Sequence, residues 1–230
     1  ERLEALKALF DREAVAMSVY PLRDAAARRG GDYAVPHSLE GHQKMAYNLA
    51  HVRMPEHAVL NLKNVSYRIS ASVDLPEPVS TGVIACQGGN MGGWSLYLDQ
   101  GGRPTYLYNW FGHTLTFLAS DSVLNEGRHD IVVEYTHDGG FGAGGDAVLI
   151  VDGVQSAQGR IPQTVPVIYS MSGETFDVGR DTGSPVGPYP HNFRFSGEIE
   201  QVVLERLSDV SAETKSAERR GQFKASLSSQ

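Results

Sequence analysis

The chain has one cysteine, no surplus of basic residues and no long apolar run, and each shortage excludes something. A single thiol, Cys86, cannot close an internal disulfide, so cysteine usage does not fix the redox compartment. A net charge of −7 argues against a nucleic-acid partner, which requires a basic face, and against docking on anionic lipid. No stretch approaches the ~20 apolar residues of a membrane helix, so no membrane partner is expected. There is no signal-peptide pattern and no leading methionine, and the chain opens in helical character at ERLEALKALF. It is read as a piece of a longer protein, with the compartment, cytoplasmic or periplasmic, left unknown.

What is present points to β structure. The 25 glycines among 230 residues favour a turn-rich architecture. Glu1 to Met17 is the clearest helix, with Leu3, Leu6, Phe10, Ala14 and Met17 on one face and Pro21 ending it. Pro21 to Pro55 lacks periodicity and carries Arg23, Asp24, Arg28, Arg29, His37, His42 and His51, the look of a linker leaning on a neighbouring surface. Short strands follow. Ser66 to Leu75 alternates Tyr67, Ile69, Ala71, Val73 and Leu75. Thr81 to Cys86, Trp94 to Leu98, Thr105 to Trp110, Thr114 to Leu118, Gly127 to Tyr135 and Ala147 to Val151 come next, and Asp152-Gly153 forms a two-residue turn. Val165 to Tyr169, Glu174 to Gly179, Phe193 to Ile199 and Gln201 to Leu207 complete an antiparallel sandwich. The expected division is a helical and irregular arm at 1–61, a β-sandwich at 62–207, and a polar, partly helical or disordered tail at 208–230, with Ser211 as a helix cap.

Three segments resemble concanavalin-A-like or laminin-G-like jelly rolls: LIVDG at Leu149–Gly153, FDVGRD at Phe176–Asp181 and FSGEIEQVVL at Phe195–Leu204. A narrower likeness covers Glu1 to Leu207. NLKNVSYRISASVDLP at Asn61–Pro76, GGNMGGWSLYL at Gly88–Leu98, YLYNWFG at Tyr106–Gly112 and DVGRDTGSPV at Asp177–Val186 resemble the C-terminal region of bacterial arylsulfatases, and VYPL at Val19–Leu22 is similar to the segment leaving their catalytic domain. The resemblance implies a parent sulfuric ester hydrolase that uses a formylglycine and a calcium ion in a catalytic domain lying outside this chain. The formylglycine arises from Cys/Ser-x-Pro-x-Arg. Cys86 has Gly88 and Asn90 at the two diagnostic positions, and Ser184-Pro185-Val186-Gly187-Pro188 also lacks the pattern. The expectation is a chain with no catalytic residues and no cofactor of its own. It would pack on its catalytic domain, wall the substrate cleft or mediate homo-oligomerisation.

The remaining candidates are weighed residue by residue. Cys86 follows Val83-Ile84-Ala85 with no charge nearby in sequence and reads as a small buried hydrophobe. The histidines show no metal-ligand spacing, and no G-x-S-x-G elbow occurs. Asp177 and Asp181, with Asp138 beyond them, are weighed as calcium ligands, with no metal preferred and a proline-stiffened loop as the plainer reading. Trp94, Tyr97, Trp110 and Phe111 cannot all face inward on alternating strands. With Asn90, Asn109 and His113 they could stack on a sugar or an aryl sulfate, or anchor a domain interface, the interface being preferred. The site set is therefore Asn90, Trp94, Asn109, Trp110, His113 and Asp181. The rival function is a carbohydrate-binding β-sandwich module. A glycan-cleaving enzyme would need paired carboxylates, and Asp74, Asp99, Glu134 and Glu174 are too scattered in sequence to predict one.

Overall fold

The computed structural model describes residues 2–17, 19, 39, 41–169 and 173–228. In chain order the strands are β1 (Lys44–Tyr47), β2 (Met54–Pro55), β3 (Tyr67–Leu75), β4 (Gly82–Gly89), β5 (Gly92–Leu98), β6 (Pro104–Trp110), β7 (Thr114–Ala119), β8 (Gly127–His137), β9 (Ala143–Val151), β10 (Val154–Gln163), β11 (Thr175–Val178) and β12 (Glu198–Arg206). Helices α1 (Arg2–Ala16) and α2 (Ala212–Ser228) stand at the two ends. The strands form two six-stranded antiparallel sheets, A in the order β1-β12-β3-β8-β9-β10 and B in the order β2-β11-β4-β5-β6-β7. The chain is thus an antiparallel β-sandwich of jelly-roll type with an N-terminal helix.

Period-two patterning builds the interior. Tyr67, Ile69, Ala71, Val73 and Leu75 of β3 turn inward beside Ile131, Val133 and Tyr135 of β8 and Ala147 and Leu149 of β9. Sheet B answers with Trp94, Leu96 and Leu98 of β5 and Tyr106 and Tyr108 of β6. Each of the larger aliphatic side chains among them contributes ~1.5–3 kcal/mol by leaving water. Three of the four tyrosine hydroxyls among these residues are satisfied inside the core: Tyr67 and Tyr106 share a hydrogen bond of 2.6 Å, and Tyr108 accepts from the Val165 N–H at 2.9 Å, whereas the buried Tyr135 hydroxyl has no partner among the described residues.

Sheet B also buries part of its outer face. Val83, Cys86, Tyr97 and Leu107 are covered by Val186 and Tyr189 of the segment 179–197, with Phe193 packed alongside. That segment is stitched to β4: the Val83 N–H donates to Phe193 O, and the Ser196 N–H donates to Thr81 O, each at 2.9 Å.

Several boundaries differ from the sequence reading. The sandwich begins before residue 62, because β1 pairs with β12 and β2 pairs with β11. These strands have four and two residues, too short to show a period. The strand after the Asp152-Gly153 turn is β10, whereas Val165–Tyr169 is irregular. β10 is polar along most of its length and bulges between Gln155 and Ala157, so it carries no apolar signal. The turn has the positive φ pair of a type I′ hairpin, +49° at Asp152 and +78° at Gly153. The tail forms α2, capped as expected: Ser211 Oγ accepts from the Thr214 N–H at 3.1 Å. On α1, Ala14 is buried and Leu3, Leu6 and Phe10 are exposed, as is Met17 just beyond the helix. The irregular stretch carrying Arg23, Asp24, Arg28, Arg29 and His37, with most of VYPL, lies outside the described residues. No helix among the described residues is long and apolar enough to cross a membrane.

Candidate functional site

The glycine pairs of GGNMGG face each other across the β4–β5 hairpin, Gly88 opposite Gly93 and Gly89 opposite Gly92. A Cβ at Gly93 would lie 2.1 Å from Gln87 O, and one at Gly88 would lie 2.1 Å from Gly92 O. Both residues have positive φ, so glycine is required at each. The hairpin thereby kinks at its tip while its stem stays regular, with Gln87 and Trp94 inward and Cys86 outward.

Cys86 lies directly opposite Asp177 of β11 on one side and Ser95 of β5 on the other. Asp181 joins them from the covering segment, and one ligand-type atom from each of Cys86, Asp177 and Asp181 lies within 4.8 Å of the others. Asp177 Oδ1 accepts from the Arg53 N–H at 2.5 Å, and Oδ2 accepts from the Thr182 N–H at 3.0 Å and the Thr182 hydroxyl at 2.7 Å. Asp181 Oδ2 accepts from the Val186 N–H at 3.1 Å and the Tyr189 hydroxyl at 2.7 Å. The Cys86 thiol donates to Arg180 O at 3.6 Å. Both carboxylates are 1% exposed, and among the described residues neither forms an ion pair with a basic side chain. Burial raises the Asp181 carboxyl above the ordinary aspartate range against the pull of its hydrogen bonds. Burial, then the charges of Asp181 and Asp177, push the Cys86 thiol well up, which makes it a poor nucleophile at neutral pH. Cys86 is a buried thiol, as its apolar neighbours suggest, but buried charges surround it that the local sequence does not reveal.

The other expected site residues divide. Trp94 is 0% exposed between the sheets, its indole N–H donating to Gln87 Oε1 at 3.3 Å and its ring 6.2 Å from Phe176. It offers no surface to a ligand or partner, because position 94 falls in the inward phase with Leu96 and Leu98. Asn109 is equally hidden and acts as a bracket: its amide N–H2 donates to Val186 O, Asn90 O and Gly89 O, and its oxygen accepts from the Gly112 N–H at 2.7 Å. Its polar atoms are fully engaged within the chain. Asp181 is likewise closed to solvent. Asn90 and His113 are exposed, and Trp110 is half-buried with Phe111 at 5.6 Å and His113 at 5.9 Å between ring centres.

Two surface features extend the sequence reading of Tyr97 and Phe111. The β6–β7 turn is a type I′ turn closed by the His113 N–H on Trp110 O at 2.9 Å, with φ of +50° at Phe111 and +71° at Gly112. A bulky aromatic in the left-handed region is a strained choice. Phe111, together with Leu115 and Phe117 on the outer face of β7, gives an apolar rim, 37%, 39% and 46% exposed. The second feature is a cleft of about 280 Å³ between the β5–β6 turn and the covering segment, lined by Tyr97, Asp99, Gln100, Gly101, Pro188, Tyr189 and Phe193. Tyr97 and Tyr189 pack at 5.0 Å, and Asp99 Oδ1 holds the turn through the Gly101 and Arg103 N–H groups at 2.8 and 2.9 Å. Burial pushes the Tyr97 hydroxyl up to about 12, with Asp99 adding to it, so it stays a neutral donor. Only the spatial meeting of residues 97–101 with 188–193 makes this cleft, and no local motif announces it.

No protein-family model matches the chain, and no curated protein matches it. Solved structures do. The chain is similar to the CBM40 of a Ruminococcus gnavus IT-sialidase bound to α2,3-sialyllactose, with a TM-score of 0.50 at 15% identity over 75% of this chain and 90% of that one. It is also similar to domain 4 of a Geobacillus stearothermophilus GH43 arabinanase in complex with arabinotriose, with a TM-score of 0.44 at 12% identity over 71% and 68%. A pentraxin of Limulus polyphemus follows with a TM-score of 0.40 at 12% identity over 74% and 73%. At 15% identity the likeness to the CBM40 shows the fold alone, a β-sandwich of jelly-roll type.

Proposed function

We propose that this chain is a non-catalytic accessory module of a larger hydrolase, and that it recognises a neutral glycan. The observation that carries the proposal is the cleft beside Tyr97 and Tyr189. Aromatic edges, the free Asp99 oxygen and the Gln100 amide converge there, the mix of apolar wall and few polar groups that ligand sites use. The fold it shares with the R. gnavus CBM40 supports the reading. Unlike a sialic acid, the ligand would be uncharged: the lining contains a carboxylate and no Lys or Arg. At about 280 Å³ the cleft holds one sugar unit. A glycan array of the folded chain tests this. Binding to neutral glycans that Gln100→Ala weakens roughly tenfold or more supports it; binding untouched by Gln100→Ala and Asp99→Asn, or no glycan binding at all, overturns it.

A second reading has its own observation. The rim of Phe111, Leu115 and Phe117 leaves apolar area in water, and it fits a module packed on a partner domain. The motif resemblance would make that partner the catalytic domain of an arylsulfatase-like enzyme. Replacing Leu115 and Phe117 by Ser in the parent protein should then depress aryl-sulfate hydrolysis while the isolated chain keeps its stability; unchanged hydrolysis removes this reading.

A further inference from the structure

We propose that Cys86, Asp177 and Asp181 form a buried site for one zinc-class divalent cation, completed by the Ser95 hydroxyl. Two ionised carboxylates cannot sit together away from water without a compensating charge, and among the described residues no basic side chain pairs with either. Ser95 is the independent observation. It is 0% exposed, its hydroxyl has no partner at normal hydrogen-bond geometry among the described residues, the nearby Tyr189 hydroxyl donating instead to Asp181, and its strand position is directly opposite Cys86 on the same outer face. A buried hydroxyl left without a partner is costly, and a cation among these groups would take its free lone pair.

The donor set selects the cation. Calcium takes six to eight oxygen ligands, whereas this cluster offers few donors and one of them is sulfur. Thiolate with carboxylates suits the borderline metals, zinc first among those commonly available. Ligand atoms around tetrahedral zinc stand about 3.3–3.8 Å apart, so the cluster, whose atoms lie within 4.8 Å of one another, need close by no more than about 1.5 Å. On uptake the Cys86 thiol releases its proton to solvent as the sulfur–metal bond forms. The carboxylates keep their backbone donors through the remaining lone pairs. The site lies beneath the covering segment, away from the rim and behind the cleft's tyrosines, and does not depend on the proposed function.

The test uses the whole chain, stripped with a chelator and titrated with cobalt(II) and then zinc(II). The expected result is one cobalt per chain with a thiolate-to-cobalt charge-transfer band in the near ultraviolet, displaced by zinc, and a zinc-dependent rise in melting temperature. Cys86→Ser should abolish the band, and Ser95→Ala, a small deletion compatible with folding, should weaken zinc roughly tenfold. A folded wild-type chain that takes up no metal at one equivalent overturns the proposal, as does a band that persists in Cys86→Ser. If Cys86→Ser fails to fold, the wild-type titration and Ser95→Ala decide.

Discussion

Trp94 separates a core reading of the GGNMGGWSLYL hairpin from a ligand-binding one, and its replacement has a calculable cost. The ring is fully enclosed, and its N–H is paired with Gln87 Oε1, itself 2% exposed. Trp94→Ala removes an aromatic from a packed interior at ~3–5 kcal/mol and strands the Gln87 oxygen at ~1–3 kcal/mol more. For a chain of this size that total of ~4–8 kcal/mol lowers the melting temperature by roughly 8–30 °C. The pair can be dissected further. Trp94→Phe and Gln87→Leu each leave one buried partner unsatisfied at ~1–3 kcal/mol, whereas the double variant leaves none, so the two losses should not add. Urea unfolding of the four chains measures the cycle. In a Trp110→Phe background the emission of Trp94 should be blue-shifted and resistant to iodide. The reasoning fails if Trp94→Ala melts within about 3 °C of the parent chain, or if the double variant is as damaged as the sum of the singles.

Three further outcomes follow from the geometry. Asn109→Ala releases the β4–β5 turn, the β6–β7 turn and the covering segment together, and urea unfolding should register a loss of ~2–4 kcal/mol from several unmade hydrogen bonds; a loss below ~1 kcal/mol contradicts the bracket. Phe111→Asn installs the Asn-Gly pair that a type I′ turn prefers, so the isolated chain should gain ~1 kcal/mol in thermal unfolding while any partner held by the rim binds less tightly. His137 is the pH probe: burial lowers its pKa, so the unfolded chain takes the proton first, and stability falls as pH drops below the ordinary histidine value of ~6.5 toward the lowered folded value. Stability curves of His137→Leu should lose that part of the acid-side slope, and an unchanged slope would remove His137 from the explanation.

The core strands were legible because their periods are local. IVVEY at Ile131–Tyr135 and AVLIV at Ala147–Val151 are dense in β-branched residues, and Tyr67 to Leu75 places every second residue inward as written. The edges were not. KMAY, the Met54–Pro55 pair and VQSAQGRIPQ have little apolar patterning, since an edge strand buries less and is held mainly by backbone pairing. The candidate sites show the same division. Cys86, Asp177 and Asp181 each stand out in the sequence, but only the register of β4 against β11 brings the first two together. Tyr97 and Tyr189 are far apart along the chain, and nothing local marks position 189 as a lid on position 97. Asn109 looks like a ligand residue because it is polar among aromatics; its four internal hydrogen bonds are all nonlocal or turn contacts that a strand pattern cannot show.

One stretch, 44–55, supplies an outermost strand to each sheet: β1 lies on β12 and β2 lies on β11. Tyr47 ties the two together, its ring 4.8 Å from Phe176 and its hydroxyl accepting from the Leu60 N–H at 3.0 Å. The segment therefore works as a clasp along one flank of the sandwich. A chain shortened to residue 62 would leave β12 and β11 with open rows of N–H and C=O groups on the same side, a template for strand addition by a neighbouring molecule. Protection of both sheet edges on this flank thus rests on a dozen residues that carry no obvious β pattern, and an insertion among them is expected to raise aggregation, measurable by light scattering.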